Sequence, residues 1–424
     1  MNWSRTFFNQ SVGILTIGTL IAQGIGYLVA PIVSRLYSPA DMGELAMYMR
    51  IVGLGAVIAT ARYEMAIPIV KSDYHSAILT RLTLRIVGVS TLVMLLVSLV
   101  WLLLVAQHLV QDGIWLLLCG TSIVFLALSN IGVNWATRAA KFSQITSSRI
   151  YQSIGTHSFR LLFGWLNWGG FGLILGTTIG FLIGLFSFRG MTKLFHKFGT
   201  NPKGNSRSIV LARQNKDFPF VSLPHAVMEL AKDVIVALMI IYFFSQELFG
   251  SFSYAYTMLR LPLLVVGTSI GQVFFKSLTD LKHQGGAIYP SVKRLVIFLV
   301  GFSLLPFLVL QLYGQELFGF VFGEVWETAG SMAEIMSMWL LLNFISSPIS
   351  TLPMVLNKQR PFFWLGFVMT VSQLIGFGIL PFYIGSSSAD FFLILTWISM
   401  IQAVLLVVYI GMSIHFAKAA DLAK

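Results

Sequence analysis

The sequence predicts an all-α polytopic membrane protein with about twelve transmembrane helices in two six-helix bundles. Of its 424 residues, 56% are hydrophobic and 10% are charged, and the mean hydropathy is +0.82, whereas about a quarter of a typical soluble protein is charged. The apolar residues run in blocks long enough to cross a hydrocarbon core of about 30 Å, without the alternation typical of barrel strands. Basic residues also alternate between the two sides of these blocks. The pattern excludes a water-soluble enzyme.

The apolar blocks predict the position of each helix in turn. The fifth is the least apolar, and a long polar stretch separates the sixth from the seventh. The predicted helices cover residues 12–34, 42–70, 78–106, 114–137, 145–165, 169–188, 219–244, 248–275, 291–313, 328–356, 362–384 and 390–414.

Lys and Arg are distributed unequally between the two sides of these helices. With both termini in the cytoplasm, the inner connections hold 22 Lys and Arg residues and the outer connections hold only Arg35. Cytoplasmic loops of membrane proteins collect basic residues. The net charge of +12 therefore indicates this orientation rather than nucleic-acid binding. The single cysteine, Cys119, leaves no intrachain disulfide.

A basic linker at about residues 189–217 divides the chain into two predicted lobes. The lobes cover residues 1–200, with helices 1–6, and residues 201–424, with helices 7–12. The linker holds seven Lys or Arg residues and no acid before Asp217. Contact with anionic lipid head groups, contact with an acidic partner and simple retention of basic residues in the cytoplasm all remain open for it.

Short repeats and glycine patterns support a duplicated helical bundle. The segments Ser38–Gly43 and Ser245–Gly250 leave the first and seventh helices in matching positions, and Gln246–Gly250 recurs as Gln315–Gly319. Helix 6 also carries a glycine every four residues, which predicts close packing of its backbone on a neighbouring helix. These glycines are Gly172, Gly176, Gly180 and Gly184.

Basic residues within the apolar blocks are the first candidates for function. A charged side chain at mid-bilayer costs about 2.5–3.5 kcal/mol on insertion scales, so each needs a partner or a water-filled cavity. Arg260 lies about 18 Å along its helix, too deep to reach the interface easily. Arg50 and Arg62 lie about 12 Å from a helix end, so for them snorkelling and a cavity position both remain open.

Acidic and polar residues extend the candidate site. Glu229, Lys232 and Asp233 share one face of helix 7, where they form either a local ion cluster or a proton or cation site with Lys232 as an anion contact. Glu64 is a further acid within a predicted span. Gln23 and Gln272 are explained equally well by hydrogen bonds between helices. A polar stripe on helix 5 predicts contact with water or substrate rather than lipid; its members are Arg149, Ser153, His157, Arg160 and Gly164.

Several buried guanidinium groups favour an anionic cargo, since arginine binds phosphate oxygens by paired hydrogen bonds. The sequence has neither a phosphate-binding loop of the P-loop ATPase type nor a His-Glu-x-x-His zinc site. We predict no catalytic residue, metal or cofactor. The predicted cavity cations are Arg260, Lys232, Arg50, Arg62 and Arg160, the ion-coupling candidates are Glu64, Glu229 and Asp233, and the polar cavity residues are Gln23, His157 and Gln272.

Several stretches between about residues 10 and 360 resemble those of a known family. They are Arg35–Glu44, Ala61–Ile67, Gln246–Tyr256, Arg260–Pro262, Gly271–Phe275, Phe322–Trp326 and Ser347–Pro348. Together they resemble bacterial polysaccharide biosynthesis membrane proteins. These are the Wzx-type flippases of the multidrug/oligosaccharidyl-lipid/polysaccharide exporter superfamily.

The resemblance implies a V-shaped pair of six-helix bundles that alternate between inward-open and outward-open states. It implies a flippase of the bacterial inner membrane for undecaprenyl-pyrophosphate-linked oligosaccharides, which serve O-antigen (lipopolysaccharide), capsule or exopolysaccharide assembly. The implied partners are this cargo, membrane lipids and other polysaccharide-assembly membrane proteins. Helices 1, 2, 7 and 8 would line the cavity, which places there Gln23, Arg50, Arg62, Glu64, Lys232 and Arg260.

Two other functions remain as alternatives. A cation-coupled multidrug exporter of the same superfamily often uses an acidic residue in the first helix, and helix 1 has none here. A membrane-embedded glycan polymerase or ligase would be expected to carry a sizeable outer loop with catalytic side chains, whereas the predicted outer connections are all short.

Overall fold

A computed structural model describes the chain over residues 3–70, 72–104, 109–190, 204–284, 286–356 and 358–422. For parts of some helices only the backbone is described. The side chain of Gln272, one of the predicted cavity residues, therefore lies outside the described residues. Lys71 and residues 191–203, which include much of the predicted linker, also lie outside them.

The described chain is helical throughout, which confirms the predicted all-α class. Thirteen helices are longer than one or two turns. They are α1 Trp3–Leu36, α2 Pro39–Thr60, α3 Asp73–Leu104, α4 Leu109–Arg138, α5 Phe142–Trp165, α6 Gly169–Leu185, α7 Gly204–Gln214, α8 Leu223–Phe243, α9 Gln246–His283, α10 Tyr289–Phe322, α11 Glu327–Ile349, α12 Gln359–Gly378 and α13 Ser388–Leu422. Shorter turns lie at Tyr63–Ala66, Phe186–Phe188, Phe218–Ser222, Glu324–Trp326, Leu352–Val355 and Pro381–Ile384.

Nine helices within the described ranges are long and apolar enough to cross a membrane. The predicted fifth, seventh and eighth spans are present as α5, α8 and α9 but are not among these nine. All three carry charged residues within their length: Arg149 and Arg160 in α5, Lys232 and Asp233 in α8, and Arg260 in α9. The exact count of twelve spans stays a prediction.

The second predicted helix is too long in the sequence interpretation. The prediction extended it to residue 70, but α2 ends at Thr60. Ala61 and Arg62 have positive φ angles of 48° and 62°, a conformation that non-glycine residues rarely adopt and that no helix continues through. Arg62 and Glu64 therefore lie in the connection after α2, in and beside a short 3₁₀ turn, and not within a membrane span.

The Cα positions group into two compact units. Unit 1 comprises Met1–Tyr37 and Glu44–Val234, and unit 2 comprises Ser38–Gly43 and Ile235–Lys424. Helix α7 and most of α8 thus pack with the N-terminal helices. The lobes that the sequence predicts, residues 1–200 and 201–424, stay a prediction.

In unit 1 the glycine ladder brings α6 against α5, as predicted. A Cβ at Gly176 would lie 2.9 Å from the backbone nitrogen of Arg160, and a Cβ at Gly184 would lie 3.0 Å from Cβ of Gln152. A Cβ at Gly180 would overlap Thr156. Helix backbones approach this closely only where small residues form the interface.

In unit 2 the two repeated segments pack directly on one another. The backbones of Gly43 and Gly250 approach so closely that a Cβ at Gly43 would lie 3.2 Å from Cα of Gly250. The repeated serines have a matching local role. Oγ of Ser38 accepts a hydrogen bond from the backbone N–H of Asp41 (3.2 Å), and Oγ of Ser245 accepts one from Leu248 (3.1 Å), so each serine caps the start of a helix.

We expect Gly250→Ala to destabilise the protein by about 1–3 kcal/mol or more. A Cβ at this position would overlap the backbone carbonyl of Pro39, which cannot move aside as a flexible side chain could. The matched control is Gly366→Ala in α12, where an added Cβ meets nothing within 4 Å and alanine favours the helix. Thermal unfolding of the purified protein in detergent should show a lowered midpoint for the first variant only. Equal midpoints for the two variants would contradict this account of the repeat.

Candidate functional site

Arg260 is exposed on α9, between positions of the same helix that are buried. Ser253, two turns earlier on α9, and Gly267 and Gly271, two and three turns later, point in the same direction and are all buried. The guanidinium of Arg260 lies over the ring of Tyr256, with its Cζ 5.3 Å from the ring centroid. The packed face of α9 therefore opens at Arg260, and a cation–π contact holds the side chain there.

Helix α11 forms the other side of this opening. The rings of Tyr256 and Trp339 lie 5.8 Å apart, and further along the same two helices a Cβ at Gly267 would lie 2.9 Å from Oγ of Ser347. From the first contact to the second, the residue number increases along both helices, so α9 and α11 run parallel here.

One turn beyond the Tyr256–Trp339 contact, each helix carries an exposed polar residue. These are Arg260 on α9 and Asn343 on α11. Asn343 was missed in the sequence interpretation, because a single neutral amide in an apolar run gives no charge or periodic signal. Its position four residues after the tryptophan becomes informative only once the register between the two helices is known.

Arg50 is half-buried on α2. Its Nη1 donates a hydrogen bond to the backbone carbonyl of Ala46, one turn earlier on the same helix (3.1 Å). This bond holds the guanidinium against its own helix.

Arg62 and Glu64 form a loose ion pair after the end of α2. Nη1 of Arg62 lies 4.0 Å from Oε1 of Glu64. Glu64 is buried, and its second carboxylate oxygen has no hydrogen-bond partner among the described residues. Burial raises the pKa of Glu64 above its ordinary value, and this effect outweighs the hydrogen bond from Thr60 and the charge of Arg62, which lower the pKa.

The polar stripe on α5 forms hydrogen bonds to neighbouring helices, and its contact with water or substrate stays a prediction. Arg149 donates to Oγ1 of Thr19 on α1, and Ser153 donates to the carbonyl of Ala22 on the same helix (2.7 Å). The guanidinium of Arg160 donates twice to Oγ1 of Thr177 on α6, at 3.2 and 2.7 Å. Contacts between helices therefore account for the polarity of this face.

His157 lies on the same stripe, against α1. Its Nε2 would be 3.1 Å from a Cβ at Gly26, so the imidazole fits against a glycine. Its Nδ1 is buried and has no hydrogen-bond partner among the described residues. Gln23, the other described polar candidate, is half-buried on α1.

On α8, Lys232 forms an ion pair with Asp233, the next residue in the sequence. Nζ of Lys232 lies 3.3 Å from Oδ1 of Asp233, so the ion pair joins adjacent residues, while Glu229 on the same face is exposed. This pairing favours the local ion cluster over the anion contact predicted for Lys232.

Comparison with known proteins identifies the family. A family model described as "Polysaccharide biosynthesis protein" matches residues 32–331. Among curated proteins, none matches the sequence.

The fold is similar to that of several solved transporters. A structure of "Lipid II flippase MurJ, inward closed conformation" aligns with a TM-score of 0.67 and 16% identity, covering 96% of this chain and 90% of that one. An inward-facing multidrug resistance MATE family transporter of the MOP superfamily aligns with a TM-score of 0.57 and 14% identity, covering 98% and 94%. A MOP superfamily transporter from Pyrococcus furiosus aligns with a TM-score of 0.55 and 15% identity, covering 96% of each chain.

The family match covers well over half of the sequence, and these structures align over nearly the whole chain at identities that support a shared fold alone. The chain is a multi-pass membrane protein with the fold of the MOP superfamily, and it belongs to the polysaccharide biosynthesis protein family.

Proposed function

We propose that this protein is a flippase for undecaprenyl-pyrophosphate-linked oligosaccharide repeat units. It moves them by alternating access from the cytoplasmic to the periplasmic leaflet of the bacterial inner membrane, for assembly of O-antigen, capsule or exopolysaccharide. The observation that carries the proposal is the exposed position of Arg260, four turns into the long helix α9. The family model's description and the lipid-linked cargo named for one structural neighbour support the same function.

The position of Arg260 suits a diphosphate. Arg260 lies about 21 Å along α9 from the start of that helix, so its charge needs a compensating group within the membrane. The ring of Tyr256 supplies part of that compensation. A diphosphate supplies the rest, because guanidinium groups form paired, charge-assisted hydrogen bonds with phosphate oxygens, and the exposed amide of Asn343 can donate another.

The other predicted cations are already engaged to different degrees. Lys232 pairs with Asp233, Arg62 lies beside Glu64, and Arg160 donates to Thr177. Arg50 bonds a carbonyl of its own helix and stays partly accessible. We therefore assign the cargo charge first to Arg260 and second to Arg50, and the other three cations contribute to the structure of unit 1.

Glu64, Glu229 and Asp233 remain our candidates for coupling transport to an ion. Glu64 stands out, since its buried carboxylate has one oxygen without a hydrogen-bond partner among the described residues. The multidrug exporter alternative would need such carboxylates to bind the cargo itself, and Asp233 is already paired with Lys232. The polymerase or ligase alternative lacks a large outer domain in the described chain, where α10 and α11 are joined by Gly323 and one 3₁₀ turn.

We expect Arg260→Ala to reduce export of the glycan by about 10- to 100-fold, since a hydrogen bond to a charged group contributes about 1.5–3 kcal/mol. Arg260→Lys keeps the charge but loses the paired geometry, and should retain part of the activity. The matched control is Arg294→Ala, which removes an exposed arginine near the start of α10. Surface glycan is measured in a deletion strain that carries each variant, with protein amount in the membrane checked by immunoblot. Normal glycan with Arg260→Ala would overturn the assignment.

Asn343→Asp should impair export more than Asn343→Ala does. An aspartate one turn from the Tyr256–Trp339 contact would pair with Arg260 and repel the phosphate groups of the cargo, whereas alanine removes only a hydrogen-bond donor. Ser350→Asp, at an exposed position at the end of the same helix, controls for the added charge. The same glycan assay applies, and equal export by the Asp and Ala variants at position 343 would show that Asn343 does not neighbour the bound cargo.

Glu64→Gln should change how stability depends on pH. The pKa of Glu64 is about 4.5 in the unfolded chain and is higher in the folded protein. The protonated carboxyl therefore contributes its full stabilisation at pH values below 4.5. This contribution is lost as the pH rises through the folded-state pKa. The wild-type protein should therefore lose stability relative to Glu64→Gln as the pH increases from 4.5 to 8. Thermal midpoints in detergent test this, with Glu324→Gln, at an exposed carboxylate, as the control. Parallel curves for wild type and Glu64→Gln would contradict the burial effect.

A further inference from the structure

A second group of cations, separate from the membrane-embedded candidates, lines a cleft in unit 1. The cleft has a volume of about 480 Å³, and Arg85, Arg213 and Lys216 are exposed at its edges. The hydroxyl-bearing residues Tyr63 and Ser208 are buried at its base. We refer to it as the basic cleft.

The sequence builds this cleft by docking the end of the predicted linker onto α3. Helix α7 buries Ser208 and Leu211, one turn apart on the same face. The hydroxyl of Tyr63 donates to the backbone carbonyl of Ala212 in α7 (3.3 Å), and Nη1 of Arg207 donates to the hydroxyl of Tyr74 on α3 (3.1 Å). The basic residues that follow along α7 are therefore held in place by protein contacts.

The lining of the basic cleft is suited to an anion. Three of its side chains are cationic, and none of the lining residues, all of which lie in the described part of the chain, is acidic. Guanidinium and ammonium groups match the oxygens of a phosphate group, which accept several hydrogen bonds at once.

The apolar surroundings of the cleft indicate that the phosphate belongs to a lipid. Phe220 and Ile209 line the cleft and are 76% and 58% exposed. On α3, the last buried residue is Val87, and from Val89 onward the exposed side chains are apolar. Arg85 therefore lies where the surface of α3 changes from one packed against protein to one that is exposed and apolar. Such a change is expected at the boundary between lipid head groups and acyl chains.

We propose that the basic cleft binds the phosphate of a lipid in the leaflet that the charge distribution assigns to the cytoplasm. Arg85, Arg213 and Lys216 contact the phosphate oxygens, and the acyl or prenyl chain runs past Phe220 along the apolar surface of α3. A phospholipid such as phosphatidylglycerol and a polyprenyl diphosphate share this chemistry. The site does not depend on the transport activity proposed above.

Native mass spectrometry of the full-length protein in detergent tests the site. The two probes are phosphatidylglycerol and a polyprenyl diphosphate, with phosphatidylcholine, which carries a phosphate but no net charge, as the reference. The test variant is Arg213→Glu with Lys216→Glu. The matched control is Lys293→Glu with Arg294→Glu, which reverses two exposed basic residues outside the cleft. Arg213→Gln with Lys216→Gln replaces the test variant if charge reversal prevents folding.

We expect the test variant to bind at least one of the two anionic probes about 30-fold more weakly than the control does, or weaker still, since each of the two basic residues near a lipid surface contributes about 1 kcal/mol. Loss of phosphatidylglycerol alone identifies a bilayer phospholipid, and loss of the polyprenyl diphosphate identifies the transported class of lipid. Unchanged binding of both probes overturns the proposal. Failure of the proposed function would appear separately, as normal glycan export by Arg260→Ala.

Discussion

The structure depends on how each charge within an apolar helix is compensated. Desolvation makes an isolated charge costly in the membrane, and this chain uses a different solution at each position. Arg160 bonds the hydroxyl of Thr177 on the neighbouring helix, and Lys232 takes the carboxylate beside it in sequence. Arg260 has an aromatic ring on one side and an open surface on the other. Of these three arrangements, the last is the one that leaves the residue exposed, which is why the proposal above assigns the anion to Arg260 rather than to Arg160 or Lys232.

Close backbone contact is the second requirement, because apolar side chains gain little by leaving lipid for a protein interface. The glycines of α6 meet that requirement against α5, and Gly43 and Gly250 meet it where the repeated segments touch. In both places a single Cβ would collide with atoms that cannot move easily. The two segments Ser38–Gly43 and Ser245–Gly250 thus repeat for a physical reason: each places a serine cap and a closely packed glycine at the start of a helix.

Twelve of the thirteen longer helices of the described chain, the glycine ladder and the all-α class follow from local composition and periodicity, and sequence alone predicted them, whereas α7 lies in the stretch predicted as a linker. The end of α2 was missed, since Ala61 and Arg62 give no compositional sign of their left-handed backbone. The stripe on α5 was correctly placed on one face, but periodicity does not tell whether that face meets water or a neighbouring helix. Asn343 and the basic cleft were out of reach for the same reason: both depend on contacts between helices that lie far apart in the chain.

The tendency of cytoplasmic loops to collect basic residues would account for the positive charge predicted for the linker, but it does not require those residues to converge. A linker that served retention alone could remain solvated, whereas α7 is docked through buried Ser208 and Leu211 and holds Arg213 at a cleft that also contains Arg85 of α3. Transport of a lipid-linked anion needs binding that is favourable enough for entry and weak enough for release. In the two proposals above, the basic cleft and Arg260 are separate sites, because the residues of the cleft belong to unit 1 and Arg260 belongs to unit 2.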